Sequence, residues 1–218
     1  MDTKNKENIY VHYGCAFTAP EEWINFDVSP SRLLQKIPIV GNYVKTKLYS
    51  PFPNNVRHGD ITKGLPIVAG SVSGVYCSHT LEHLSLEDFR LALNNTYKLL
   101  KPGGIFRCVV PDLEYAAREY INSLDKGVRN ASIEFLRNGT LLGVEKKPKG
   151  IEGFLRLLLG NSHHLWMWDI NSISLELENA GFTNVRPCRF NDCEDQMFNF
   201  VEEIYRFENA VAVECRKN

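Results

Sequence analysis

The chain has 218 residues, 44% of them apolar and 23% charged, which is enough for one hydrophobic core with an added segment and short for two full domains. Its 25 Lys and Arg against 26 Asp and Glu leave a net charge of -1, so nothing global favours a nucleic acid as partner. The first eight residues are polar, and the most apolar short stretch, 154–159, is interrupted by Arg156 and falls far short of the ~20 residues of a membrane span. A cytoplasmic protein without a membrane span is therefore expected. Its six cysteines include no CxxC pair, a pattern that suits reduced, buried thiols better than a disulfide framework.

Taken in chain order, Ile9 to Tyr13 is a short β-rich run that stops at Gly14, and Trp23 to Val28 is a second one containing Asp27. The interval between them is too short for an ordinary crossover helix, so the first helix is expected to be stunted or replaced by a loop. Arg32 to Ser50 carries Pro38 and Gly41 among its apolar residues and reads as a helix that breaks. Val72 to Ser78 reads as a buried parallel strand. The clearest helix follows, capped by Ser85, with Leu86, Phe89, Leu93, Tyr97 and Leu100 on one face and Lys101-Pro102-Gly103-Gly104 as its stop. Ile105 to Val110 is the next buried strand, and Leu113 to Leu124 is helical. The glycine-interrupted stretch 127–161 reads as an insertion over one end of the sheet. A last helix opens at Asp169 or Asn171 and stops at Gly181, and Val185 to Phe190 and Ala210 to Cys215 close the chain as strands.

Strands alternating with helices in this order predict a single α/β domain, a mainly parallel sheet with helices on both faces and its ligand site at the carboxyl ends of the strands. A nucleotide bound there needs close backbone approach after the first strand and a carboxylate at the end of the second. Gly14 and Asp27 fill those places, although the GxGxxG fingerprint is absent. The later strand ends add Asp60-Ile61, then Ser78-His79-Thr80-Leu81-Glu82-His83-Leu84, then Leu99-Leu100-Lys101-Pro102-Gly103-Gly104, then Pro111-Asp112. In this order and spacing the sequence resembles the class I S-adenosylmethionine-dependent methyltransferases, especially a small bacterial group with a Gly-Cys-Gly turn followed by Trp-Ile-Asn-(Val/Phe)-Asp. The resemblance extends to His163-His164-Leu165-Trp166-Met167-Trp168-Asp169 and Leu177-Glu178-Asn179-Ala180-Gly181-Phe182.

The resemblance implies a Rossmann-like seven-stranded sheet of order 3-2-1-4-5-7-6, its last strand antiparallel to the others, over residues 1–218 with an acceptor-side insertion at about 113–168. It implies S-adenosylmethionine as cofactor. Tyr13, Gly14, Cys15 and Ala16 would wrap its methionine part, Asp27 would hold the ribose, Asp60 and Ile61 would flank the adenine, and Ser78, His79 and Leu81 would line the sulfonium side. Ala16 departs from the glycine of the group, and its methyl is costly only where φ is positive.

Methyl transfer is a displacement at an already activated carbon, so the protein chiefly aligns the reactants and excludes water. A base is needed only where the acceptor arrives protonated, as a hydroxyl does, and His83, His163 and His164 are the candidates, with Asp112 as an orienting carboxylate. The string His79-x-x-Glu82-His83 also spells the HxxEH pattern of inverted zinc peptidases, but it follows a strand directly instead of lying on an established helix, so no metal is expected and activity should survive chelation. Association of the group with surface-sugar biosynthesis makes a sugar or small-molecule hydroxyl the leading acceptor, and Tyr115, Tyr120, Trp166 and Trp168 could stack on it. The rivals are a catalytically silent protein that binds an S-adenosyl ligand and, less favoured, a nicotinamide-dependent oxidoreductase.

Overall fold

The computed structural model describes residues 8–29, 52–144 and 163–218. The reading of Arg32 to Ser50 as a broken helix, and part of the expected 127–161 insertion, fall outside the described residues. Seven strands, β1 (Ile9–Tyr13), β2 (Ile24–Asp27), β3 (Arg57–His58), β4 (Val72–Ser78), β5 (Leu100–Pro111), β6 (Phe182–Pro187) and β7 (Ala210–Lys217), form one sheet. Its order is β3-β2-β1-β4-β5-β7-β6, and β7 alone runs antiparallel to its neighbours, β5 and β6. This is the α/β, Rossmann-like sheet expected of a class I methyltransferase.

Between β1 and β2 there is only a turn, because the few residues there leave no room for a crossover helix. Helix α1 (Leu86–Leu99) starts where Ser85 accepts the Asp88 N–H, and the last long helix, which we call α4 (Ile170–Asn179), starts in a capping box between Asp169 and Ser172. Between them lie α2 (Leu113–Asp125) and the short α3 (Ala131–Glu134), which runs on into a π-type turn at Phe135–Gly139. Strand β6 begins at Phe182, three residues earlier than its apolar run suggests, because Gly181 at φ 96° ends the helix and turns the chain directly into the sheet.

Alternate residues of the central strands feed two cores. Val11, Tyr13, Val75, Cys77, Phe106, Cys108, Val213 and Cys215 pack with Phe89 and Leu93 of α1 and Ile173 and Leu177 of α4. On the other face Tyr10, Tyr76, Ile105, Val109 and Ala212 pack with Trp23, Phe198 and Val201, under the single-turn 3-10 helices Gln196–Phe200 and Ile204–Phe207. That second face also buries a charge network. Arg107, 1% exposed, donates to Glu202 at 2.7 Å, Glu214 at 2.6 Å, Asp192 at 2.9 Å and the Arg189 carbonyl at 3.0 Å. All six cysteines are buried, and none forms a disulfide. No described helix is long and apolar enough to cross a membrane.

Candidate active site at the carboxyl edge of the sheet

The parallel strands deliver their carboxyl ends to one edge, and the sequence-predicted residues collect there. Gly14, just past β1, has φ +65°, and a Cβ on it would lie 2.0 Å from the Thr80 hydroxyl. Both the left-handed backbone and the approach of the β4 end therefore require glycine. Ala16 follows at φ 46°, so the residue at which the sequence departs from glycine does adopt the strained region. What holds it is Asp27 at the end of β2, whose Oδ2 accepts the Ala16 N–H at 2.9 Å and whose Oδ1 accepts the Ser29 N–H at 2.7 Å. A carboxylate has about four acceptor positions, so two remain for a diol, and the glycine turn and Asp27 fit the ribose and methionine parts of the cofactor.

The other cofactor candidates divide. Ser78, 2% exposed at the end of β4, has a hydroxyl with no hydrogen-bond partner among the described residues, an orphan that suits a ligand-facing position. Asp60 caps the 3-10 turn Ile61–Lys63, accepting from the Thr62 N–H and hydroxyl and pairing with Lys63 at 2.9 Å. Burial opposes its charged form, but these bonds outweigh that and lower its pKa. The side chains of Tyr13, Cys15, Ile61 and Leu81 are buried among apolar neighbours, so only their backbones are placed to meet a ligand.

The candidates for proton transfer gather after β4. His79 sits at φ 50°, fixed by its Nε2 donating to the Arg206 carbonyl at 2.9 Å and its Nδ1 lying 3.4 Å from Glu82 Oε1. Burial works against the imidazolium there, yet Glu82 and the Arg206 carbonyl prevail and raise its pKa. His83 donates from Nδ1 to the His163 carbonyl at 3.1 Å, and its ring meets that of His164 edge-on at 5.1 Å. Burial lowers the pKa of His164. Two hydrogen bonds join the sequence-distant halves of this group: the Glu82 carbonyl accepts the N–H groups of Leu165 at 2.8 Å and Trp166 at 3.1 Å. His163 turns its Nδ1 toward the Leu141 carbonyl at 3.3 Å, and Asp112 caps α2 by accepting the Glu114 N–H at 2.8 Å.

Against this group opens a cavity of about 520 Å³, walled by the ends of β4 and β5, by α2 and α3 and by the turn before β7. His79, His164 and Asp112 line it; His83 and His163 do not. Its remaining polar wall includes Glu119, Glu134 and Glu208, with Tyr115, Tyr120 and Phe135 as aromatic surface and no Lys or Arg among the described lining residues. Trp168 is not part of it, being stacked on Phe89 at 4.1 Å in the core, and neither is the half-exposed Trp166. Sequence reasoning missed the acidic wall and the inward role of Glu82; the first gathers carboxylates from the start and body of α2, from α3 and from the turn before β7, and the second was visible only as an acidic residue between two histidines.

Residues 21–108 match a protein family described as a methyltransferase domain. The match begins past β1 and its turn, so the glycine turn rests on geometry. No curated protein sequence matches the chain. Among solved structures, a SAM-dependent methyltransferase from Archaeoglobus fulgidus is similar at 17% identity and a TM-score of 0.52, over 97% of this chain and 87% of that one. A possible histamine N-methyltransferase from Thermotoga maritima reaches 17% and 0.49 over 97% and 83%, and a Haloferax volcanii complex of the Trm112 activator with a methyltransferase reaches 13% and 0.47 over 96% and 82%. The likeness establishes the fold, and the family match marks residues 21–108 as a methyltransferase domain, for which S-adenosylmethionine is the cofactor.

Proposed function

We propose that the chain methylates a hydroxyl group of a neutral sugar or similar small molecule bound in the cavity between α2 and the ends of β4 and β5. The observation that carries this reading is the composition of the wall. Asp112, Glu119, Glu134 and Glu208 offer carboxylates that accept hydrogen bonds from hydroxyls, and Tyr115, Tyr120 and Phe135 offer flat apolar surface to a ring. Four acidic residues and no described Lys or Arg disfavour a phosphorylated or nucleotide-linked acceptor in this cavity.

The cofactor supplies an activated methyl group when bound. Gly14, Ala16 and Asp27 are assigned to hold its methionine and ribose parts, Asp60 and the backbone of Ile61 to flank its adenine, and Ser78 and His79 to border the reacting centre. The segment 113–168 is assigned to acceptor choice, since it supplies most of the cavity wall. The proton of the acceptor hydroxyl is handled at the cluster of His79, Glu82, His83 and His164, of which His79 and His164 reach the cavity. Asp112 orients the acceptor, and His163 supports His83 through its carbonyl. Six buried cysteines without a disulfide among them favour a reducing compartment such as the cytoplasm.

Incubation with methyl-labelled S-adenosylmethionine and a panel of neutral sugars, amino sugars, amines and sugar phosphates tests the proposal. An ether-linked methyl on a neutral sugar is the expected product. A methyl found only on nitrogen would sink the hydroxyl reading, and S-adenosylhomocysteine binding without turnover on any acceptor would favour the catalytically silent alternative.

A further inference from the structure

Glu82 is 1% exposed, and neither oxygen of its carboxylate has a hydrogen-bond partner among the described residues. An ionised carboxylate buried in that condition costs several kcal/mol unless a positive charge answers it. Three imidazoles surround it, and two have their tautomers fixed by backbone carbonyls, which can only accept. His79 Nε2 donates to the Arg206 carbonyl and His83 Nδ1 to the His163 carbonyl. In the neutral rings the other nitrogens, His79 Nδ1 at 3.4 Å and His83 Nε2 at 4.0 Å from Glu82 Oε1, then present lone pairs to a carboxylate. His164 adds a buried Nδ1 without a partner. Lone pairs facing an anion repel; a proton on one ring relieves a single contact, whereas a cation shared by Glu82, His83 and His164 would answer all three, and a histidine whose far nitrogen donates to a carbonyl is the usual state of a metal ligand.

We propose that Glu82, His83 and His164 bind one divalent first-row transition-metal ion at the edge of the acceptor cavity, with His79 held against the outer side of Glu82. Ligand atoms of Glu82, His83 and His164 already lie within 4.8 Å of one another, and an ion bonded to each at about 2.1 Å would draw them to roughly 3 to 3.5 Å apart, a closure of the size that side-chain rotation supplies. Imidazole nitrogens with one carboxylate select zinc, cobalt, iron or manganese over magnesium or calcium. The Glu82 carbonyl, held by Leu165 and Trp166, keeps the two halves of the site together before any ion arrives. The expectation from sequence is the opposite, that the cluster is packing and that activity survives chelation, and the two readings differ in the test below.

The chemical role rests on the hydroxyl-acceptor reading. The cluster then acts through the ion: an ion touching the acceptor hydroxyl lowers its pKa, so the O–H bond breaks and the proton passes to solvent, the imidazole lone pairs of His83 and His164 being held on the ion. The freed oxygen pair forms the bond to the methyl carbon, and the C–S bonding pair stays on sulfur. Products are a methyl ether, S-adenosylhomocysteine and one proton.

The test uses tag-free full-length protein, stripped with EDTA, dialysed, and titrated with Co²⁺ followed by visible absorption and with Zn²⁺ and Mn²⁺ followed by calorimetry, without cofactor or acceptor. Saturation at one ion per chain with a raised melting temperature is expected. Glu82→Gln keeps the shape of the side chain and should weaken binding at least tenfold. His164→Asn should do the same from the cavity wall and stands in if Glu82→Gln fails to fold, while His58→Asn on exposed β3 should leave affinity unchanged. No saturable binding by the wild type, or equal affinity in both cluster variants, overturns the site. A metal bound as proposed together with a methyl found only on nitrogen retires the hydroxyl reading alone, so the two failures are told apart.

Discussion

Ala16 holds a backbone that favours glycine, at φ 46°, and Asp27 is what keeps it there through the 2.9 Å bond to its N–H. Replacing Ala16 with Gly relieves a left-handed conformation that costs an L-residue about 1 kcal/mol; thermal unfolding without ligand should show a small gain in stability, and calorimetry should show S-adenosylhomocysteine affinity equal to or above that of the wild type. Weaker binding in Ala16→Gly would mean that the methyl itself contacts the ligand. Asp27→Ala should lower that affinity at least tenfold, because charge-assisted bonds of this kind are worth ~1.5 to 3 kcal/mol each. It should also cost some stability in the ligand-free protein, since Asp27 accepts two backbone N–H groups. That second effect was not legible in the sequence, where a carboxylate at a strand end appears free to serve a ligand alone. An unchanged affinity would remove Asp27 from the cofactor site.

At the scale of elements, period-two alternation carries more information than the apolar run alone. Arg107 stands among Ile105, Phe106, Cys108, Val109 and Val110, and antiparallel pairing sets it directly opposite Glu214. Both fall on the face that Glu202 reaches from the 3-10 turns before β7. The desolvation of each charge is large, and the pair persists because the guanidinium meets acceptors on several sides. Removing only the cation leaves Glu202 and Glu214 buried and uncompensated, so Arg107→Met should destabilise the protein by about 3 to 5 kcal/mol in urea denaturation, far beyond the loss of an exposed pair such as Arg118 with Glu114. A change under about 1 kcal/mol would refute the account of this face as held by its charge network. Helix starts at Ser85 and Asp169 were readable because capping is local chemistry, and the earlier start of β6 was not, because its first residues pair with Arg216 and Lys217 far along the chain.

For the whole molecule, pH reports on the same face through His12, 3% exposed and packed against Trp23 and Tyr76. Burial, aided by the nearby Arg206, pushes its pKa down to about 3, so the folded state keeps it neutral while the unfolded chain takes up a proton near pH 6.5. The contribution to stability is fully present above about pH 6.5 and is lost as the pH falls toward 3, by about 2 kcal/mol by pH 5. Denaturation midpoints at pH 7 and pH 5 should separate more in the wild type than in His12→Phe, and an equal separation would mean that His12 is not the group responsible. The sequence by itself determined the missing first helix, the helix caps and the glycine turn, because each follows from spacing or from chemistry between near neighbours, while the strand order was implied by the family resemblance and is matched by the sheet. Only the tertiary structure decided that Glu82 and His164, some eighty residues apart, meet at one point, that Tyr13 and Leu81 face the core, and that the cavity beside them is walled by carboxylates. Those facts depend on which strand ends and loops converge at the edge of the sheet, and on the direction each side chain takes there, and convergence of distant segments leaves no local signature.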